Sequence, residues 1–323
     1  MGGGGSGGGV AGPSAGPKKE FDEKKEDIRI KTLDQLKQVK KENRIKEMIA
    51  TSNPGEIGIV YLNAGQGDAT IVRLPNGKIM VIDCNTDESP ENLVEYLKKA
   101  GIKKIDYLVI THPHSDHMSG TKEIADNFEV GEVWTADYTR HKSEESPESY
   151  EKYKETYVAG LKKMEREGTE IKTPSAKTDP IVKDGKLEIR ILGPSKSVQG
   201  DNEDIHEESL TLQIKFGKTS FVFTGDTSNE QQDRIAEYYP VKDTTIWHAS
   251  HHGSMNGANE DVMKKVKPQY TVIPVGEDNL HQHPHDDALK IYERTTKKKV
   301  YRTDNGNIGF RFNADGESIE VQE

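Results

Sequence analysis

The chain has 323 residues, enough for one large α/β domain or two small ones. Its formal net charge of −10 argues against a broadly basic nucleic-acid surface, because duplex binding relies on lysine and arginine to neutralise phosphates. A single cysteine, Cys84, excludes an internal disulfide and fits a reducing compartment.

Residues 1–17 form a glycine-, serine-, alanine- and proline-rich leader with no means of burying a core, read as flexible. Residues 18–50 follow as a charged helical extension, with Ile28, Ile30, Leu33, Leu36, Val39, Ile45 and Met48 at irregular helical spacing. So weak a stripe packs on a domain edge or engages a protein partner. Residues 55–323 carry the alternation of one α/β domain. Nothing approaches the ~20 apolar residues that cross a bilayer, and no basic start leads into an apolar signal core, so a cytoplasmic chain without membrane insertion is expected.

Within the domain, Ile57–Leu62 reads as a strand, Gly65-Gln66-Gly67-Asp68 as a tight turn, and Ala69–Leu74 as the returning strand. The turn lacks the lysine pattern and following helix of a phosphate-cradling loop, so it is read as structural. Pro75-Asn76-Gly77 leads to Ile79–Ile82, completing a meander of hairpins. Residues 91–100 predict a helix ended by Gly101. Ile105–Ile110 is then a short apolar strand that stops at Thr111-His112-Pro113-His114-Ser115-Asp116-His117. Imidazole nitrogen and carboxylate oxygen suit zinc, manganese or iron. Alternate residues of an extended segment share a face, so His112 and His114 can reach one metal. Asp116 and His117, past the bend at Pro113, can reach a second. A merely solvated loop leaves that ligand density unexplained.

A strand around Val133-Trp134 precedes a charged helix over residues 144–167, either a lid over the site or a surface helix. Leu187–Leu192 is a strand, residues 193–208 a polar loop, and Leu210–Ile214 with Ser220–Phe223 a hairpin across Gly217-Lys218. That hairpin ends at Thr224-Gly225-Asp226. Thr244–Trp247 runs into His248, His251 and His252, and Tyr270–Pro274 leads toward His281, His283 and His285. Of eleven histidines only His141 lies outside such a neighbourhood; His206 stands alone between the first two groups. Asp83, His112, Asp226 and His251 each sit at a strand end, where a rigid sheet holds loops that assemble metal sites. Cys84, beside Asp83, is read as a buried small residue rather than a ligand.

The His-x-His-x-Asp-His motif, with Asp83 before it and Asp226 after it, resembles that of the metallo-β-lactamase superfamily. Asn63-Ala64-Gly65-Gln66-Gly67-Asp68, Thr224-Gly225-Asp226, His251-His252-Gly253-Ser254 and the ending His283-Pro284 … Val300-Tyr301-Arg302-Thr303-Asp304 narrow the match. The ordered set, over residues 56–312, is similar to the soluble hydrolase domain of the ComEC/Rec2 DNA-uptake channel proteins and their stand-alone relatives. The resemblance implies an αββα sandwich of two mixed β-sheets flanked by helices, with a metal site at one edge. It implies His112 and His114 on one ion, Asp116 and His117 on a second, and Asp226 bridging the two. His252 is implied for the second ion, with His251 as the alternative. Superfamily members often place a further histidine on the first ion where this subgroup commonly has asparagine or another polar residue. His206 stands in that segment, as a ligand or as a loop histidine. Asp83 is read as orienting a ligand by hydrogen bonding, and His283 as facing the substrate and donating to developing negative charge.

The activity so implied is metal-dependent hydrolysis, foremost as a phosphodiesterase or nuclease using a hydroxide between two zinc or manganese ions. Asp116 or His283 would shuttle the proton. Candidate substrates are single-stranded nucleic acid, a nucleotide or a small phosphodiester; stacking platforms for extended strands are not evident. The alternatives are another ester (a phosphorylcholine ester, a lactone, a thioester) or a silent metal-binding scaffold that engages partners through the 18–50 helix. A complete ligand set favours the enzyme.

Overall fold

The computed structural model describes residues 1–2, 17–51, 53–87, 89–135, 151–195, 206 and 209–323. Nearly all of the glycine-rich leader, His141 and most of the 193–208 loop lie outside the described residues. By contacts the chain divides into Met1–Asn43 and Arg44–Glu323. Helix α1 spans Pro17–Ala50, close to the expected extension. In the first unit Leu33, Leu36 and Val39 are exposed, while the side chains of Ile28 and Ile30 are outside the description. In the second unit the last turn of α1 is core: Ile45, Met48 and Ile49 are buried. A helix leaves its last four carbonyls without helical partners. Here Arg73 donates to the Ile49 carbonyl, and Arg311 Nη2 donates to the Glu47 carbonyl at 3.0 Å.

The second unit is built on two sheets. Strands β1 (Glu56–Tyr61), β2 (Thr70–Arg73), β3 (Ile79–Ile82), β4 (Lys104–Ile110), β5 (Glu129–Thr135) and β6 (Glu170–Lys172) lie in one of them. Strands β14 (Ile308–Asn313) and β15 (Ser318–Gln322) complete it, in the order β15-β14-β1-β2-β3-β4-β5-β6. The other sheet runs β13-β12-β11-β10-β9-β8-β7. Its strands are β7 (Val182–Asp184), β8 (Leu187–Gly193), β9 (Thr211–Phe216), β10 (Thr219–Phe223), β11 (Ile246–His248), β12 (Tyr270–Ile273) and β13 (Lys299–Arg302). Each sheet is mixed: β1, β2 and β3 pair antiparallel while β3, β4, β5 and β6 run parallel. Likewise β8, β9 and β10 are antiparallel and β10 to β13 parallel. Parallel neighbours need a crossover, and the short helices supply it.

Strand alternation sorts the apolar residues into three layers. Ile57, Ile59 and Tyr61 of β1 meet Ile214, Phe221, Phe310 and Phe312 between the sheets. Val60, Val81, Leu108 and Ile110 point to the outer face of the first sheet, with Leu93, Ile124 and Leu161 from its helices. Val222, Trp247 and Ile273 do the same on the second, under Ile235, Met263 and Tyr292. The result is the expected αββα sandwich. Its helices include α2 (Leu93–Lys99), α3 (Ser115–Met118), α4 (Thr121–Asn127), α5 (Ala159–Arg166), α6 (Asn229–Tyr238), α7 (Glu260–Val266) and α8 (Asp286–Thr295). Asn92, Ser228 and Asn259 cap α2, α6 and α7, each accepting a backbone N–H three residues on. The described part of the expected 144–167 helix is packed, not free: Tyr157, Leu161 and Met164 are buried with Ile124 and Ala125 of α4. Among the described residues no helix is long and apolar enough to cross a membrane.

Candidate metal centre

The strand ends that carry histidine or aspartate meet at one edge of the sandwich. After β4 the chain turns at Pro113 and restarts as α3, with His114 at its N-cap, His117 buried inside and Asp116 partly exposed. After β10 comes Gly225, whose φ is +51° and whose missing Cβ would fall 2.5 Å from Ser209 Oγ. Only glycine lets Asp226 turn inward there. After β11, His251, His252 and Gly253 are all left-handed, at φ 51°, 52° and 81°. Histidines are uncommon at positive φ, and such a run persists only where its surroundings hold it.

Two groups of ligand atoms result: His112, His114, His206 and Asp226, and Asp68, His117, Asp226 and His252, each within 4.8 Å of one another. Asp226 belongs to both. Its Oδ2 lies 3.7 Å from His112 Nε2 and 4.0 Å from His206 Nε2; its Oδ1 lies 3.2 Å from His117 Nε2 and 3.7 Å from His252 Nε2. Asp116 Oδ2 is 3.1 Å from His252 Nε2 and 3.9 Å from His117 Nε2, at the mouth of the second group. His251 Nε2 is 3.8 Å from Asp226 Oδ2, and its ring stacks on His206 with centroids 4.6 Å apart. It therefore stands on the first group's side, not the second's, because His251 and His252 diverge from the same bend. Asp83 accepts from Thr111 N, Thr111 Oγ1 and His117 Nδ1 at 2.7 to 2.8 Å, an orienting contact. Cys84 is buried with its Sγ 3.6 Å from Thr121 Oγ1, away from the ligand atoms.

The donor set fits cations. His117 Nδ1 faces Asp83 Oδ2 and His252 Nδ1 faces the Pro274 carbonyl at 3.0 Å, so both rings carry their proton outward. Their two Nε2 atoms then face each other across 3.2 Å, with Asp226 and Asp116 beside them favouring positive charge on both rings. That arrangement calls for something positive between them. His112 Nε2 and His114 Nδ1 face each other in the same way at 2.9 Å. Asp226 Oδ1 and Asp68 Oδ2 are buried and accept no hydrogen bond among the described residues, which is costly unless a cation satisfies them.

Electrostatics divide the site by group: the second group's buried histidines are raised, whereas in the first group burial and then His117 push the equally buried His112 well down. Burial pulls the His252 imidazole down, yet Asp226 and Asp116 outweigh it and lift it to about 9. His117 is raised well above its usual value against burial by Asp226, Asp83 and Asp116. Burial pushes Asp226 up, but His117, His252 and His112 hold it well below the usual carboxylate range. Nearer the mouth, burial and then His206 push His114 down to about 4. Burial and then His252 do the same to His283, also to about 4. The mouth opens into a cleft of about 320 Å³ edged by Gln66, His114, Asp116, His206, His251 and His283. His283 sits with its ring centroid 5.7 Å from His251 and 6.3 Å from His252.

The structure adds Asp68 to the site and gives His248, which the sequence groups with His251 and His252, its partner. Asp68, taken as the end of a structural turn, is buried against the second group, and His248 Nε2 lies 2.9 Å from its Oδ1. Because β2 runs antiparallel to β3, the start of β2 shares an edge with Asp83 at the end of β3. The signal in the sequence is the hairpin itself, which sets the start of one strand beside the end of the next.

A sandwich of two mixed sheets with a histidine–carboxylate centre at its edge defines a metal-dependent hydrolase. Residues 62–277 match the metallo-β-lactamase superfamily, and the chain belongs to it. Among curated relatives it is similar to ComE operon protein 3 of Bacillus subtilis (strain 168), 25% identical over 279 residues covering 81% of this chain and 33% of that protein. It is also similar to Recombination protein 2 of Haemophilus influenzae, 23% identical over 268 residues covering 81% of this chain and 29% of that protein. The chain thus spans about a third of the length of the curated relatives it matches. Among solved structures, Tm1679, a metal-dependent hydrolase of the β-lactamase superfamily, aligns at a TM-score of 0.48 and 14% identity, covering 83% of this chain and 100% of that one.

Proposed function

We propose that the chain is a phosphodiesterase that works with two divalent ions, zinc or manganese, in the unit formed by residues 55–323 and the buried last turn of α1. Asp226 is the observation that supports this best: one buried carboxylate offers an oxygen to each of two histidine groups. His112, His114, His206 and Asp226 would hold one ion; His117, His252, Asp226 and Asp116 the other. When bound, such ions supply Lewis acidity, neutralising phosphoryl oxygens and acidifying water.

The remaining work falls to side chains. Asp116 opens to the cleft, and although burial pushes its carboxyl up, His117 and His252 hold it below the usual carboxylate range, so it would orient an attacking water and pass its proton on rather than keep it. His283, neutral at pH 7, carries one ring N–H to donate to the oxygen that gains negative charge, and no positive charge to repel the ions. Asn279 holds it there: its Oδ1 accepts from His283 N at 2.9 Å and its Nδ2 donates to the His283 carbonyl at 2.7 Å. Among the described residues no lysine or arginine lines the cleft. When bound, the ions would attract an anionic substrate, which suits one engaged phosphodiester, in a nucleotide, a single-stranded nucleic acid or a small ester.

The test is hydrolysis of bis(p-nitrophenyl) phosphate by metal-stripped protein with zinc or manganese added back. Metal-dependent turnover that disappears in His114→Ala supports the phosphodiesterase. Metal binding without turnover would move the assignment to carboxylic ester, lactone or thioester substrates, and failure on those to a scaffold.

A further inference from the structure

We propose that Asp68 is an additional ligand of the second ion, that His248 is the residue positioning it, and that the two halves of the centre therefore prefer different metals. The inference rests on the two-ion reading above.

Asp68 is tied down on every side but one. Its N–H donates to the Asp116 carbonyl and its own carbonyl accepts from Asn85 N, both at 2.9 Å, so its backbone joins the β1–β2 turn to the ligand loop. The approach requires Gly67, where a Cβ would fall 2.4 Å from the Asp116 carbonyl oxygen. Asp68 Oδ1 faces His248 Nε2 at 2.9 Å. A carboxylate can only accept, so Nε2 is the donor, while the Thr224 hydroxyl lies 3.1 Å from Nδ1 and donates to the His248 carbonyl at 2.9 Å, holding the ring in place. Oδ2 is left over. It is buried, accepts no hydrogen bond among the described residues, and belongs to the cluster with His117, Asp226 and His252. A buried oxygen that no described donor reaches, lying among histidine and carboxylate ligand atoms, has the environment of a metal ligand.

The two halves then differ in chemistry. The first offers three imidazoles and one carboxylate, His112, His114, His206 and Asp226. The second offers two imidazoles and three carboxylates, His117 and His252 with Asp226, Asp116 and Asp68. A nitrogen-rich, four-donor set suits zinc; an oxygen-rich set with more donors suits a harder ion of higher coordination number, for which Mn²⁺ is the probe.

Calorimetric titration of metal-stripped protein with Mn²⁺ and, separately, Zn²⁺ tests this, with bound ions counted by mass spectrometry in wild type, Asp68→Asn and His248→Gln. Wild type should bind two ions. Asp68→Asn should lose about tenfold or more in Mn²⁺ affinity at one site and less in Zn²⁺, with the other site unchanged as an internal control for folding. His248→Gln should shift the same site in the same direction by a smaller factor. Mn²⁺ affinity within about twofold of wild type at both sites in Asp68→Asn would overturn the inference and leave the two-ion reading standing. Equal weakening at both sites for both ions would also overturn it, marking Asp68 as structural. A wild type that binds one ion or none would bring down the two-ion reading itself.

Discussion

Asp83–His117 and Asp68–His248 are both buried acid–imidazole pairs at the same sheet edge, and they are wired in opposite directions. In the first the histidine is turned to the centre and the carboxylate stands behind it, also gripping Thr111 through its backbone and hydroxyl. In the second the carboxylate is turned to the centre and the imidazole stands behind, held by Thr224. The same two side chains thus give one neutral nitrogen donor and one anionic oxygen donor, depending only on which member the backbone sends inward. Threonine serves both, Thr111 from the end of β4 and Thr224 from the end of β10.

Breaking the element common to both arrangements should have the largest effect. Asp226→Ala removes the carboxylate that faces each histidine group, and is expected to leave less than one ion per chain and hydrolysis at background, read by metal analysis and bis(p-nitrophenyl) phosphate turnover. His283→Gln tests a residue outside both pairs: kcat should fall about 10²-fold with two ions still bound, separating turnover from assembly. Asp83→Asn keeps the shape of the first pair and removes its charge. Metal affinity should fall about 10- to 100-fold, and a change confined to the ion held by His117 would sharpen the contrast with Asp68→Asn. The smallest effect concerns Cys84, whose thiol burial pushes up to about 12. At pH 8 roughly one thiol in 10⁴ is then thiolate, so iodoacetamide should leave folded protein unlabelled by mass spectrometry. Raising the pH to 9 should still leave it essentially unlabelled, and labelling should begin only with unfolding.

The central strands were legible where each is a short, dense apolar run: Ile79–Ile82 and Ile105–Ile110 differ from the observed bounds by one residue at most, whereas the polar edge strands β6, β7 and β15, and β13 and β14, were not read as strands. Short amphipathic helices such as α4 and α7 were not, since seven residues give too few turns for a period to stand out. His112, His114, Asp116 and His117 announced themselves through local density. His206 and Asp226 have no such signal of their own, and entered through the resemblance and through position at a strand end. Asp68 and His248 lie far apart in the chain and are joined only by the pairing of hairpins and crossovers, which no local spacing encodes. The wiring of the two pairs follows from which way a backbone turns, at Gly67 in one case and at Asp83, itself at φ 56°, in the other.

The last turn of α1 sets where this enzyme can be cut. A truncation at residue 55, where the strand pattern begins, would discard Ile45, Met48 and Ile49 from the core and remove one carbonyl acceptor each from Arg73 and Arg311. Three buried side chains at about 1.5–3 kcal/mol each amount to roughly 5–9 kcal/mol, on the scale of a whole domain's stability. A shortened protein for crystallisation or assay should therefore keep Arg44 onward, and a tag fused directly to residue 55 would report on an unfolding chain rather than on the metal centre.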